Sequence, residues 1–193
     1  MYLFFDLETT GLPKKPNGFI ADLDNWPRIV QIAWLCHDMS GTMLSSNDYL
    51  ICPDGFSIPR ESTAIHGITD ELAREKGVPA QQALVAFLQA AQSCRYLVAH
   101  NIGFDFPVIC AELLRYSIPH ELYCADQICT MKTKAVIQYC QVKNKSGGLK
   151  WPKLSEMYQV LFDETMDLAH DARADVEACA RCFFELKARG VFE

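Results

Sequence analysis

The sequence predicts an α/β domain whose sheet is mixed, partly antiparallel and partly parallel, with helices packed on it. Three observations lead there. Strand-like segments crowd the first fifty or so residues and are joined by turn signals, which favours antiparallel neighbours. A short, wholly apolar segment then stands alone near residue 97. From residue 60 onward, helical periodicity alternates with such short segments, the pattern of helices covering a sheet.

The elements follow in order. Residues 2–7, YLFFDL, read as a strand of nearly continuous apolar character. Segments 28–37 (RIVQIAWLCH) and 43–51 (MLSSNDYLI) continue as strands, with Ser40-Gly41 turning between them in a meander. The linker from Leu12 to Trp26, rich in Pro, Gly and charge, reads as a surface excursion. A helical stretch is expected around 63–75, and another starts at Pro79 with Ala83, Phe87 and Ala90 at helical spacing. RYLVAH (95–100) is a short buried strand. A helix is expected from Phe106 to about Tyr116, with Pro107 suited to its first turn and Val108, Ile109, Leu113 and Leu114 apolar. ELYCA (121–125) reads as a further strand. KLSEMYQVLF and DARADVEACARCFFELKAR form the last helices, with Val176, Cys179, Ala180, Phe183 and Leu186 along one stripe of the latter.

At 193 residues the chain is expected to be one domain over 1–193 with room for a sizeable core. The stretch 132–153 stands apart as a lysine-rich insertion: it has six lysines and no acid, with Tyr139 and Trp151 interleaved. It reads either as a solvated loop or as a flap over a polyanion, where lysines meet phosphates and rings stack on bases.

A 22% share of charged residues against 50% hydrophobic excludes a disordered or fibrous chain. No apolar run could span a bilayer, and Met1 leads straight into an apolar segment without a signal-peptide pattern. The nine cysteines are odd in number and scattered among apolar residues, which suits a reducing cytoplasm. Cys179-x-x-Cys182 falls inside a helix and is expected to face the core rather than hold a metal. A net charge of −6 argues against broad electrostatic adhesion to nucleic acid, but not against a nucleic-acid enzyme whose clustered acids are neutralised by cations.

Asp6 and Glu8 leave the same face of the first strand, directly after four bulky residues. Two carboxylates on a buried face are costly unless compensated, and hard oxygen donors suit Mg²⁺ or Mn²⁺. Asp105 follows a buried strand and stands at the mouth of a helix, where alone it would be an N-cap. Asp171 is the natural N-cap of the last helix. Asp175 lies a turn further in on the core-facing stripe, where an acid needs a partner. His170, five residues ahead of Asp175, can project from the loop and accept a proton from water.

FFDLETTGL, HNIGFDFPVI and HDARADVEAC, in that order, resemble the three motifs of the DEDDh exonuclease family. This ribonuclease H-like superfamily includes the proofreading epsilon subunit of bacterial replicative polymerases, ribonuclease T and oligoribonuclease. The resemblance implies a ribonuclease H-like fold and 3′→5′ removal of nucleoside 5′-monophosphates from single-stranded or frayed ends, DNA before RNA. It maps Asp6, Glu8, Asp105 and Asp175 onto acids holding two Mg²⁺ or Mn²⁺ ions, with His170 as general base and Glu8 shared with catalysis. Two such ions would offset the charge gathering on one phosphodiester. Thr9, Thr10 and Leu12 follow the first motif, where relatives hold the terminal nucleotide. His66, in STAIHGIT, resembles a histidine near that nucleotide, and Asn101 either joins it or secures the loop before Asp105. A homodimer is an arrangement the resemblance offers. No polymerase-binding tail is evident after the last helix, which leaves polymerase association open.

Two rivals differ in specific residues. A haloacid-dehalogenase-type phosphatase also opens on a strand ending Asp-x-Asp-x-Thr, but Glu8 replaces its second Asp. A non-catalytic nucleic-acid-binding module of the same fold would have no need of all five site residues.

Overall fold

The central strand, β1 (Tyr2–Thr9), is apolar on both faces because both are covered. Leu3, Phe5 and Leu7 pack into a large cluster with Trp34, Phe87 and Ile109, while Tyr2 and Phe4 meet Val176 and Phe183 on the other side. The computed structural model describes residues 1–166 and 170–192. Its sheet adds β2 (Ile29–His37), β3 (Met43–Leu50), β4 (Tyr96–Ala99) and β5 (Asp126–Cys129), in the order β3-β2-β1-β4-β5. β3, β2 and β1 form the antiparallel meander, and β4 and β5 run parallel to β1. The mixed sheet is therefore as expected. Glu8 lies opposite Gln31, and the register shifts immediately after it.

Several boundaries differ. The single helix expected near 63–75 is two, α1 (Arg60–His66) and α2 (Asp70–Lys76). Gly67 ends the first with φ 75, and the Thr69 hydroxyl accepts from Leu72 N–H to start the second. α3 (Ala80–Gln92) begins after Pro79 as expected. α4 (Ile102–Arg115) starts four residues earlier than Phe106, so Pro107 falls in its second turn. Its cap is Asn101, in the left-handed region at φ 79, and Asp105 is therefore not a cap. Leu114 faces solvent, while Val108, Ile109 and Leu113 are buried. ELYCA is not a strand: Leu122–Cys124 is a 3₁₀ turn, and the ladder with β4 begins at Asp126. Leu122 is apolar because that turn plugs it into the core.

The lysine-rich stretch is only partly loop. It contains α5 (Lys134–Cys140), whose Val136 and Cys140 pack with Met157 and Leu161 of α6 (Leu154–Phe162) and with Cys182 and Leu186 of α7 (Ala172–Ala188). Beyond it, Asn144–Gly148 closes a turn bridged by Lys143 and Leu149. The expected stripe on α7 is buried, Cys179 and Cys182 included, and all nine cysteines are unpaired. Among the described residues, no helix is long and apolar enough to cross a membrane.

One ionic cluster braces this frame. Glu112, only 1% exposed, accepts from Arg28 Nε at 2.7 Å, Arg115 Nη1 at 3.0 Å and Ile29 N–H at 3.4 Å. Losing one partner of such a cluster would leave buried charge uncompensated.

Candidate active site

The sheet delivers acids to one end of β1. Parallel pairing of β1 with β4 brings the start of α4 beside the end of β1, and α7 crosses the opposite face. Asp6 and Glu8 come from β1, Asp105 from the first turn of α4, and Asp175 from the first turn of α7. Asp171 caps α7, its carboxylate accepting from Ala174 N–H at 3.0 Å.

The electrostatics report the crowding. Burial drives the Asp6 carboxyl well above the usual carboxylate range, and Asp105, Asp175, Glu8 and Asp171 add to the effect. Asp105, 3% exposed, is also raised by burial and by Glu8 and Asp175, against backbone N–H groups including that of Leu7. Burial, then Asp175 and Asp171, push Glu8 up to about 7. Asp175 rises to about 6 through burial, opposed by the main chain and side chain of His170. Anions held this way call for a cation, and the donors are hard oxygens of the kind Mg²⁺ and Mn²⁺ favour. Ligand atoms of Glu8, His170 and Asp175 all lie within 4.8 Å of one another.

His170 is exposed and takes a left-handed backbone, φ 72. Its main-chain N–H donates to Asp175 Oδ2 at 3.1 Å, tying the loop to the helix. His66 reaches the same place from the end of α1. Its Nδ1 accepts from Ile68 N–H at 3.1 Å, so Nε2 carries the proton, and that atom is buried without a hydrogen-bond partner. Burial lowers its pKa and the charge of His170 adds to this, while the Thr9 main chain opposes it. The Asn101 side chain does not cap α4, and its Oδ1 is likewise buried and unpartnered. Thr9 Oγ1 donates to Gly11 O at 2.7 Å and Thr10 Oγ1 accepts from Arg28 N–H at 2.9 Å, so both hydroxyls shape the turn. Leu12 projects from it, 83% exposed.

Two supporting residues carried weaker signals. Gln31, a polar residue inside an apolar strand, accepts from Ala172 N–H at 3.2 Å and donates to Asp48 at 3.0 Å, which fixes the start of α7 against β2. His100 closes β4: Nε2 donates to Pro152 O at 3.1 Å and Nδ1 accepts from Thr130 Oγ1 at 3.0 Å. Burial pushes its pKa down to about 4, so it stays neutral and pins the end of the lysine-rich stretch beside the β4 terminus.

The raised carboxyl pKa values predict a stability signature. Their contribution is present while the acids are protonated, below their ordinary values, and is lost as pH rises through about 6 to 7. For Glu8 alone the shift corresponds to about 3 kcal/mol. The chelator-treated protein should therefore melt about 5–10 °C lower at pH 8 than at pH 5. Millimolar Mg²⁺ should recover the difference at pH 8. A metal-free melting point that rises or stays level over this window would contradict the clustering.

The family RNase T, described as exonuclease, matches residues 3–183. Human three prime repair exonuclease 2 is 26% identical over 210 residues, covering 97% of this chain and 84% of that protein. The PolC-type DNA polymerase III of Streptococcus pyogenes serotype M18 is 29% identical over 186 residues, 95% of this chain but 11% of the polymerase. E. coli exonuclease I, solved with a dA16 oligonucleotide, superposes with a TM-score of 0.78 at 20% identity, over 97% of this chain and 41% of that one. Exonuclease I from Methylocaldum szegediense gives 0.76 at 19% identity, with 97% and 40% covered. At those identities the structural likeness concerns the fold. The chain spans about two fifths of the exonuclease I chains and about a tenth of the polymerase.

Proposed function

The chain belongs to the RNase T exonuclease family and is a 3′→5′ exonuclease; on that premise we propose that it trims single-stranded DNA from the 3′ end through a DEDDh centre made of Asp6, Glu8, Asp105, Asp175 and His170. One observation carries the reading: acids far apart in sequence, from β1, α4 and α7, meet closely enough to raise one another's pKa. That cost is reasonable only in a site built to receive cations.

In this reading Asp6, Glu8, Asp105 and Asp175 would hold two Mg²⁺ or Mn²⁺ ions, which would supply neutralisation of phosphate charge and acidification of the attacking water. The protein's own residues do the rest. The His170 imidazole takes the proton from the attacking water. Its place is set by the main-chain bond to Asp175, so base and carboxylate move together. The His66 Nε2–H is a buried donor that feels the Thr9 main chain without a formed hydrogen bond, and the Asn101 Oδ1 is a buried acceptor lacking a donor. We assign both to the terminal nucleotide, whose polar edges would satisfy them. The turn from Thr9 to Leu12 offers main chain and an apolar side chain, since its hydroxyls are already engaged.

Single-stranded DNA is favoured as substrate because E. coli exonuclease I holds such an oligonucleotide and the human relative is a three prime repair exonuclease. The lysine-rich stretch serves as a basic wall along the departing strand. His100 holds its end beside β4, and the Lys150–Glu156 pair at 2.6 Å ties it to α6. Nine unpaired cysteines suit a reducing cytoplasm.

The test is a 3′-labelled single strand incubated with Mg²⁺, with and without EDTA. Labelled nucleoside 5′-monophosphate should be released from the first turnover, and EDTA should stop it. Release of inorganic phosphate alone, or of label from a 5′-labelled strand first, would reject the reading.

A further inference from the structure

The excursion between β1 and β2 presents the two most exposed large apolar side chains among the described residues, Phe19 at 88% and Leu12 at 83%. It is a built loop. The buried Asn25 accepts Lys15 N–H at 2.7 Å and returns its side-chain amide to Lys15 O at 3.0 Å. Gly18 lies so close that a Cβ there would stand 2.4 Å from Asn25 Nδ2. The buried Trp26 donates its indole N–H to Phe19 O at 3.0 Å. Arg115, at the end of α4, grips the carbonyls of Leu23 and Trp26. The frame thus anchors the Phe19 main chain while its ring stands in water, an arrangement with no return for the fold.

We propose that Phe19 is a stacking platform for bases of the strand upstream of the scissile phosphate, with Lys14 and Lys15 contacting the backbone phosphates. The proposal rests on the exonuclease reading of the acid cluster. Position supports it at both ends. The loop leaves the sheet directly after Glu8 and Thr9, its root pinned by Thr10 N–H to Arg28 O and Arg28 N–H to Thr10 Oγ1, each 2.9 Å. Its far side rests on Arg115, ten residues along α4 from Asp105, or about 15 Å at the helical rise. A strand whose end lies among the acids would meet this loop beyond its terminal nucleotide.

Charge agrees. Lys14 and Lys15 are exposed on the outgoing limb, in a chain of net charge −6, whereas Asp22 and Asp24 follow Phe19 on the returning limb. A flat ring beside two cations matches single-stranded nucleic acid, because every base offers a π face whatever the sequence.

The experiment compares two- and eight-nucleotide single strands, with equilibrium binding measured in EDTA and steady-state turnover in Mg²⁺. Phe19→Ala should weaken octamer binding about tenfold, with much less effect on the dinucleotide. The turnover defect should fall on KM rather than kcat, and Phe19→Trp should restore both. Replacing Lys14 and Lys15 together with alanine should reduce the salt dependence of octamer binding by about 1.4 in log–log slope. Val160→Ala, at an exposed apolar position on α6, is the control. Octamer binding unchanged by Phe19→Ala, alongside normal mononucleotide release, would remove the platform and leave the exonuclease reading standing. An equal loss for both lengths would assign Phe19 to the terminal nucleotide and also overturn the proposal. No mononucleotide release by the unaltered protein would take both readings down.

Discussion

Asp6→Asn should lower Mg²⁺-dependent turnover about a thousandfold or more and, in the same protein, raise the melting temperature measured in EDTA. The two effects share one cause. Asp6 sits on the central strand and is pushed up by burial, then by Asp105, Asp175, Glu8 and Asp171, so it is where the mutual repulsion converges. Asparagine keeps the shape and one carbonyl oxygen but removes the charge. The folded, metal-free protein is relieved of a repulsion that the unfolded chain never feels. A metal loses a hard anionic donor, and the scissile phosphate loses much of the charge compensation that such sites supply. Single-turnover kinetics and thermal melts, run with and without Mg²⁺, check both halves. A variant that is slow but also less stable in EDTA would mean that Asp6 supports the fold rather than a cation. A variant within tenfold of the original rate would remove Asp6 from the centre.

The pairing of opposite signs also separates this activity from its rivals. A phosphatase using Asp6 as a nucleophile would lose activity on the same substitution but would leave a trappable phosphoaspartate in the unaltered protein. A binding module would show the stability gain with no turnover to lose.

What could be read in the sequence was local. Asp6 and Glu8 were legible because a strand's period of two puts them on one face beside bulky residues, and Asp175 because a helix's period puts it on a core-facing stripe. Asp105 was legible as an acid but not in its setting. The start of α4 depends on Asn101 adopting a left-handed backbone at φ 79, which no helix propensity announces. Pro107, which favours a first turn, pointed to the wrong boundary. ELYCA failed for a related reason, since apolar character marks burial and a 3₁₀ turn can bury Leu122 as well as a strand can. About a third of the lysine-rich stretch is helical because Val136 and Cys140 find partners on α6 and α7, contacts invisible along the chain. The unpartnered atoms of His66 and Asn101, and the clamp from Gln31 to Ala172, exist only once remote segments meet.

His170→Ala should reduce kcat about 100- to 10,000-fold, the range expected for loss of a general base, while leaving metal binding nearly intact. The position suits a clean test. Its backbone is left-handed, φ 72, so a melting curve of the variant accompanies the assay to separate backbone strain from loss of the ring. The bond from the residue-170 main chain to Asp175 Oδ2 survives, because it uses the amide and not the ring. Only the imidazole is removed. The competing role is that of a ligand, since ring and carboxylate atoms of His170, Glu8 and Asp175 lie within 4.8 Å of one another. Mn²⁺ titration distinguishes the two. A ligand's loss should be recovered at high metal concentration, whereas a base's loss should persist at saturating metal and be relieved in part by added imidazole. If saturating Mn²⁺ restores the rate to within a few-fold of the unaltered protein, His170 belongs among the ligands, and the proton must leave by another group.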